Sequence, residues 1–205
     1  KPAAGLYNFC YVNAYQTQPQ ETKWWKSNHN NLLLKKAGGG YVVDSYWGEI
    51  LLDISTPTKR RAIARIVNRW IDGCAADGFD AVEPDNLDSW TRSGGRLTKE
   101  NAFTYARLLI DHAHGHGLAI GQKNAAGQTA LGTSTGFDFA VAEECGRYNE
   151  CGRYVSHHGE QVLVPSGHER LHAGDVLAVA GSEESIAAAR ELLEPLAQRA
   201  DAPAE

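Results

Sequence analysis

Short apolar stretches alternate along this chain with longer segments whose apolar residues recur at helical spacing, and that alternation leaves few folds open. Residues 7–14 read as a strand, and after Thr17-Gln18-Pro19-Gln20 a helical stretch carries Trp24, Trp25, Leu32, Leu33 and Leu34. Residues 41–43 and 50–54 read as extended. Ser55-Thr56-Pro57 then supplies a helix start, and Ile63, Ile66, Val67, Trp70 and Ile71 form the apolar stripe of a helix that ends near Asp77-Gly78. Residues 79–83 read as a strand, 99–114 as an amphipathic helix, 118–123 and 137–143 as strands, and 145–154 as a helix. Repeated β-α order with short connections implies a parallel sheet covered by helices, and a TIM-type (β/α) barrel is one of its two main solutions.

Barrel enzymes build their active sites where the strands end, and four strand ends here are unusually polar. They are Leu52-Asp53-Ile54-Ser55, Glu83-Pro84-Asp85-Asn86-Leu87-Asp88, Gln122-Lys123-Asn124 and Glu143-Glu144-Cys145. Side chains two apart share a face of a strand, and small residues suit a crowded barrel centre. On that basis Ala81, Glu83 and Asp85 form one inward line, Ala119, Gly121 and Lys123 a second, and Ala140, Ala142 and Glu144 a third. Several carboxylates converging on one rim with an ammonium are better explained by catalysis or ligand binding than by stability, because an unpaired buried charge is costly. The bland reading is a solvated rim of acidic loop residues.

Composition removes other classes. A formal net charge of −5 with scattered arginines offers no footprint for nucleic acid, and no run approaches the roughly 18 apolar residues of a membrane span. With 42% hydrophobic residues in 205, the chain can bury the core of one large domain or two small ones. It begins at Lys1 and contains no methionine, which points to a processed N-terminus whose export signal is already lost. Cys10, Cys74, Cys145 and Cys151 contain no CxxC pair, against a zinc ribbon. Joining Cys145 to Cys151 across a short loop leaves Cys10 for Cys74; the alternative is four free buried thiols. His112, His114 and His116 alternate at a helix end and cannot all share one face, so they read as helix-terminal cations rather than a metal site. No cofactor is expected: Gly38-Gly39-Gly40 lacks the spacing and following helix of a dinucleotide fingerprint.

The stretch Gly78-Phe79-Asp80-Ala81-Val82-Glu83-Pro84-Asp85-Asn86, followed by Gly121-Gln122-Lys123-Asn124 and Phe137-Asp138-Phe139-Ala140-Val141-Ala142-Glu143-Glu144-Cys145, closely resembles glycoside hydrolase family 114. Cys10-Tyr11-Val12-Asn13 and Leu52-Asp53-Ile54 extend the resemblance over about residues 5–158. It implies a secreted, barrel-type endo-α-1,4-polygalactosaminidase, with Asp85 matching the family's nucleophile and Glu144 its acid/base. Two carboxyl groups roughly 5–5.5 Å apart make a retaining glycosidase. Crowded carboxylates such as Glu83 beside Asp85 and Glu143 beside Glu144 are how proteins hold an acid protonated, and Lys123 is a counter-charge for an ionised nucleophile. Asp53, Asn86, Asp88 and Asn124 join these as candidate substrate contacts, with Tyr11, Trp47 and Trp90 as rings to stack on sugars or cations. A galactosamine polymer is partly cationic, which suits an acidic cleft.

Residues 159–205 depart from that family. Leu171-His172-Ala173-Gly174-Asp175 followed by an apolar strand, Gly181-Ser182 and a helix resembles part of the C-terminal domain of bacterial potassium-uptake regulators, a β-β-α piece. The barrel-like domain, residues 1–158, is shorter than the roughly 250 residues of a full barrel and is therefore expected to be incomplete. Two other readings follow: an inactive, carbohydrate-binding relative, or a ligand-binding or dimerising regulatory module acting through residues 159–198.

Overall fold

The computed structural model describes residues 2, 7–143, 145 and 148–158 of the chain. The elements are β1 (Phe9–Asn13), α1 (Thr22–Asn28), β2 (Val43–Asp44), β3 (Glu49–Ile50), α2 (Pro57–Asp77), β4 (Ala81–Asp85), α3 (Lys99–Gly115), β5 (Ala119–Lys123), α4 (Thr129–Thr135), β6 (Phe139–Val141) and α5 (Cys151–His158).

The two long helices form where the sequence carries start and stop signals. Thr56 caps α2 by accepting the Lys59 N–H, Pro57 fills the first turn where no N–H is needed, and Gly78 ends the helix at φ 86°. Thr98 and Asn101 form a reciprocal capping box at α3. Both helices bury apolar stripes, including Ile63, Val67 and Ile71 from α2 and Leu109, Ile110 and Ala113 from α3.

The parallel sheet runs β1-β4-β5-β6, with Tyr11 beside Glu83, Asn13 beside Asp85 and Lys123 beside Val141. Alternation divides it into two faces. Val12, Val82 and Ile120 enter the main core against α2 and α3, while Phe9, Ala81, Ala119, Phe139 and Val141 form a separate small cluster on the concave side. Gly121 permits that second packing, since a β-carbon there would collide with the Phe139 ring. Among the described residues the parallel sheet is an open arc of four strands, an incomplete barrel.

Four expectations change. Residues 50–54 do not add a parallel strand: Leu51 and Leu52 bridge Gln16 and Leu33 antiparallel, beside the β2-β3 hairpin. Leu33 and Leu34 leave the helical stretch, because the helix stops at Asn28 and Leu34 N–H bonds to the Leu51 carbonyl. The last described helix starts at Cys151 rather than near residue 145. Finally, Ala140 and Ala142 pack outward with Cys145 and Tyr154, so the inward line of β6 is Phe139 and Val141. The β-β-α segment expected over residues 159–205 lies outside the described residues.

Both disulfides form, Cys10 to Cys74 and Cys145 to Cys151, and no free cysteine remains. The first ties β1 to α2 across a sequence separation of 64, the second closes a separation of 6. Replacing Cys10 and Cys74 together by Ala is expected to lower unfolding free energy by about 2–4 kcal/mol, since the longer loop restricts the unfolded chain more. Urea denaturation of the double variant against the parent measures this.

Candidate active site

The strand ends meet at one cleft of about 570 Å³, lined by residues from β1, the β2-β3 hairpin, β4, β5 and the segment after β6. Its lining includes five carboxylates, Asp44, Glu49, Asp85, Asp88 and Glu143, against two cations, Arg92 and Lys123. The excess of negative charge favours a cationic or hydroxyl-rich guest.

Lys123 is the centre of the arrangement. Its side chain is only 6% exposed, and its ammonium pairs with Glu83, lies 3.2 Å from Glu143 Oε1 and 3.9 Å from Asp85 Oδ1. Burial pulls its pKa down, but Glu83, Asp85 and Glu143 outweigh that and raise it above the ordinary lysine value. The ammonium therefore stays charged between Asp85 at the end of β4 and Glu143 after β6. Tyr11 donates to Asp85 Oδ2 at 2.7 Å, and its phenol is pushed up by burial and then by Asp85, so it holds its proton and remains a donor. Asn124 holds Glu143 from both ends: its amide donates to Oε2 at 3.2 Å and its side-chain oxygen accepts the Glu143 N–H at 2.8 Å.

The chain turns sharply as it leaves β4 and β5. Asn86 and Asn124 follow the last strand residues at φ 68° and 49°, and Ala125 follows at 60°. Asn is among the few side chains that tolerate the left-handed region, and here it directs an amide back into the cleft. Asn86 donates to Asn13 Oδ1 at 3.1 Å and to Glu49 Oε2 at 3.3 Å, while Asn13 donates to the same Glu49 oxygen at 3.0 Å. Burial raises the Glu49 pKa, with Asp85 and Asp44 adding to the effect and Asn13 and Arg92 opposing it. Arg92 closes the network, with Nε 2.8 Å from Asp44 and Nη2 2.9 Å from Asp88.

The residues expected from the sequence divide into groups. Tyr11, Asp85, Asn86, Asp88, Lys123, Asn124 and Glu143 line the cleft, as does Trp47 beside Tyr46 at the hairpin tip. Glu83 stands behind them as the partner of Lys123. Asp53 is not brought to the cleft: it pairs with Lys59 and accepts the Ser55 N–H, an arrangement that organises the start of α2. Trp90 packs against Phe103, with ring centroids 6.0 Å apart. Glu144 lies outside the described residues. Sequence reasoning missed Asp44, Glu49 and Arg92; the two acids that flank Ser45-Tyr46-Trp47-Gly48 were the available signal, but only folding carries the hairpin to the strand ends.

A rim of carboxylates at the strand ends of a β/α scaffold is the arrangement with which glycoside hydrolases work across a sugar bond, and this protein is one. The chain belongs to glycoside-hydrolase family GH114, whose model matches residues 1–166. Among solved structures it is similar to Aspergillus fumigatus Ega3 in complex with galactosamine, at 25% identity and a TM-score of 0.59, covering 86% of this chain and 67% of that one. It shares its fold with the glycoside hydrolase domain of PelA from Pseudomonas aeruginosa, at 15% identity and a TM-score of 0.50, covering 94% of this chain and 74% of that domain. No curated protein matches it.

Replacing Lys123 by Met should cost about 3–5 kcal/mol in urea unfolding, because it leaves the largely buried carboxylates of Glu83 and Asp85 without their cation. A raised lysine pKa also has a definite pH signature. The contribution is complete below the unfolded value of about 10.4 and is lost as pH rises through the higher folded value. The stability gap between parent and Lys123→Met is therefore expected to narrow above about pH 10.4, as read from unfolding curves across the alkaline range.

Proposed function

We propose that this hydrolase cleaves α-1,4-linked polymers of galactosamine internally and with retention, using Asp85 as nucleophile and a carboxyl of the Glu143-Glu144 pair as acid/base. The observation that carries the reading is the placement of Asp85 and Glu143 on either side of the Lys123 ammonium, at 3.9 and 3.2 Å. Two carboxylates that share one ammonium at those distances can stand about 5–5.5 Å apart, the spacing of retaining enzymes. The excess of cleft carboxylates and the galactosamine bound to the similar Ega3 support a cationic aminosugar as the guest.

In the first step an Asp85 carboxylate oxygen attacks the anomeric carbon while the acid/base protonates the departing glycosidic oxygen, so the C–O bond breaks as the glycosyl-enzyme bond forms. The same acid/base, now ionised, takes a proton from water, whose oxygen displaces Asp85 and restores the enzyme. Tyr11 orients Asp85 by its hydrogen bond, and the Lys123 ammonium stands beside it. Of the acid/base pair, Glu143 is the one that Asn124 and Lys123 hold in the cleft, and Glu144 is the one the family resemblance marks. The two disulfides support an oxidising, extracellular setting.

The test is release of reducing ends from polygalactosamine. Asp85→Asn and Glu143→Gln are each expected to lower kcat by about 10²–10⁴-fold with unfolding temperatures close to the parent's, while Glu144→Gln keeps most activity. The reverse order, with Glu143→Gln active and Glu144→Gln dead, moves the acid/base to Glu144. Full activity of Asp85→Asn discards the mechanism. Tyr46 and Trp47 extend from the hairpin tip into the cleft wall and are 83% and 64% exposed, so they are suited to stack on sugar rings beyond the cleavage point. Trp47→Ala should raise KM on long polymer several-fold and leave kcat nearly unchanged.

A further inference from the structure

Helices α2 and α3 lie side by side on the outer surface, and near their carboxyl ends three side chains point at one another. His112 and His116 are one helical turn apart, so they project from the same face of α3 and its terminus, with ring centroids 4.8 Å apart. Asp72 reaches them from α2: its Oδ1 lies 2.6 Å from His112 Nε2 and 3.0 Å from His116 Nε2. His114, two residues from each, turns away and pairs with Asp138 at 2.9 Å. The three ligand atoms all lie within 4.8 Å of one another.

We propose that Asp72, His112 and His116 form a binding site for a divalent transition metal of the zinc class, which staples α2 to α3 at the end of the fold remote from the cleft. The chemistry is selective. Two imidazoles and one carboxylate suit zinc, nickel or copper, whereas magnesium and calcium prefer sets made of oxygens. Tetrahedral zinc with ligands at about 2.0–2.1 Å requires donors about 3.3 Å apart, so this triad needs only small rotamer adjustments to receive an ion. Preorganisation comes from the packing beneath, where Ile71 of α2 and Leu109 and Ala113 of α3 are buried in the shared core. The neighbouring rings and the carboxylate are open to solvent, which gives an ion its path of entry and leaves a coordination position for water.

The site is distinct from the catalytic cleft. Helices of a β/α scaffold run back from the strand carboxyl ends, so the carboxyl ends of α2 and α3 lie toward the opposite face, where side chains govern stability rather than chemistry. The role assigned is structural: a metal that binds the folded chain and not the unfolded one raises its stability by mass action.

The experiment uses the whole chain, stripped with chelator and titrated near neutral pH with zinc chloride in a calorimeter and in thermal unfolding. One zinc ion per chain and a zinc-dependent rise in Tm are expected, with no rise from magnesium or calcium at the same concentration. Asp72→Asn, His112→Gln and His116→Gln should each weaken zinc at least about tenfold, while His114→Gln and Asp85→Asn bind as the parent does. Cobalt substitution of the parent chain should give the visible absorption of a tetrahedral ion, a reading that does not depend on any variant folding. Absence of zinc binding, or equal binding by the parent and His112→Gln, overturns the site and leaves the triad as an ion-pair cluster only. Loss of binding in Asp85→Asn overturns it too, by moving the ion to the cleft. Hydrolysis does not enter any of these readouts, so the site and the proposed activity stand or fall separately.

Discussion

One buried ammonium organises the rim of this protein. Lys123 ends β5 and is flanked by Glu83 and Asp85 of β4 on one side and by Glu143, just after β6, on the other. Lys123 and Glu83 are too buried to stand unpaired, because removing an isolated ion from water costs several kcal/mol, and the more exposed Glu143 completes the cluster from the solvent side. The pairing also fixes geometry. Three consecutive strands of the parallel sheet are tied together at their carboxyl ends, with Asp85 closing β4 and Glu143 two residues past β6.

Around that centre the fold supplies orientation. Left-handed Asn86 and Asn124 turn the chain away from the strands while returning their amides to the cleft, where one supports Glu49 and the other Glu143. Arg92 links Asp44 and Asp88, which ties the β2-β3 hairpin to the segment after β4. The hairpin thereby brings Tyr46 and Trp47 to the mouth of an acidic cleft, uniting stacking surface with negative charge. Such a combination suits the aminosugar polymer proposed as substrate, whose units present both a ring face and an amine. The opposite ends of the helices are organised by different chemistry, with the disulfide between Cys10 and Cys74 joining β1 to α2 and the histidine-carboxylate triad joining α2 to α3.

Much of the scaffold was legible from residues alone, for identifiable reasons. Helices α2 and α3 carry their own boundaries in Thr56-Pro57, Gly78 and Thr98, and long amphipathic stripes leave little doubt of their inner faces. The inward lines through Glu83-Asp85 and Lys123 follow from alternation, because the polar ends set the parity. The line through β6 does not. Phe139-Ala140-Val141-Ala142 is apolar on both faces, so nothing local says which set is inside, and a preference for small residues at the centre selects the wrong one. The space for Phe139 is provided by Gly121 on the neighbouring strand.

The short-range chemistry of the chain determined its alternating β/α order, the short Cys145–Cys151 loop and the polar ends of its strands, since each depends on periodicity or on residues near in sequence. Tertiary structure alone decided that Glu143 faces the same ammonium as Asp85 and that Glu49 and Arg92 join the site. The physical reason is common to both. A side chain's role at this rim is set by which charges meet it in the folded chain, and those neighbours come from separate elements, where no local pattern records them.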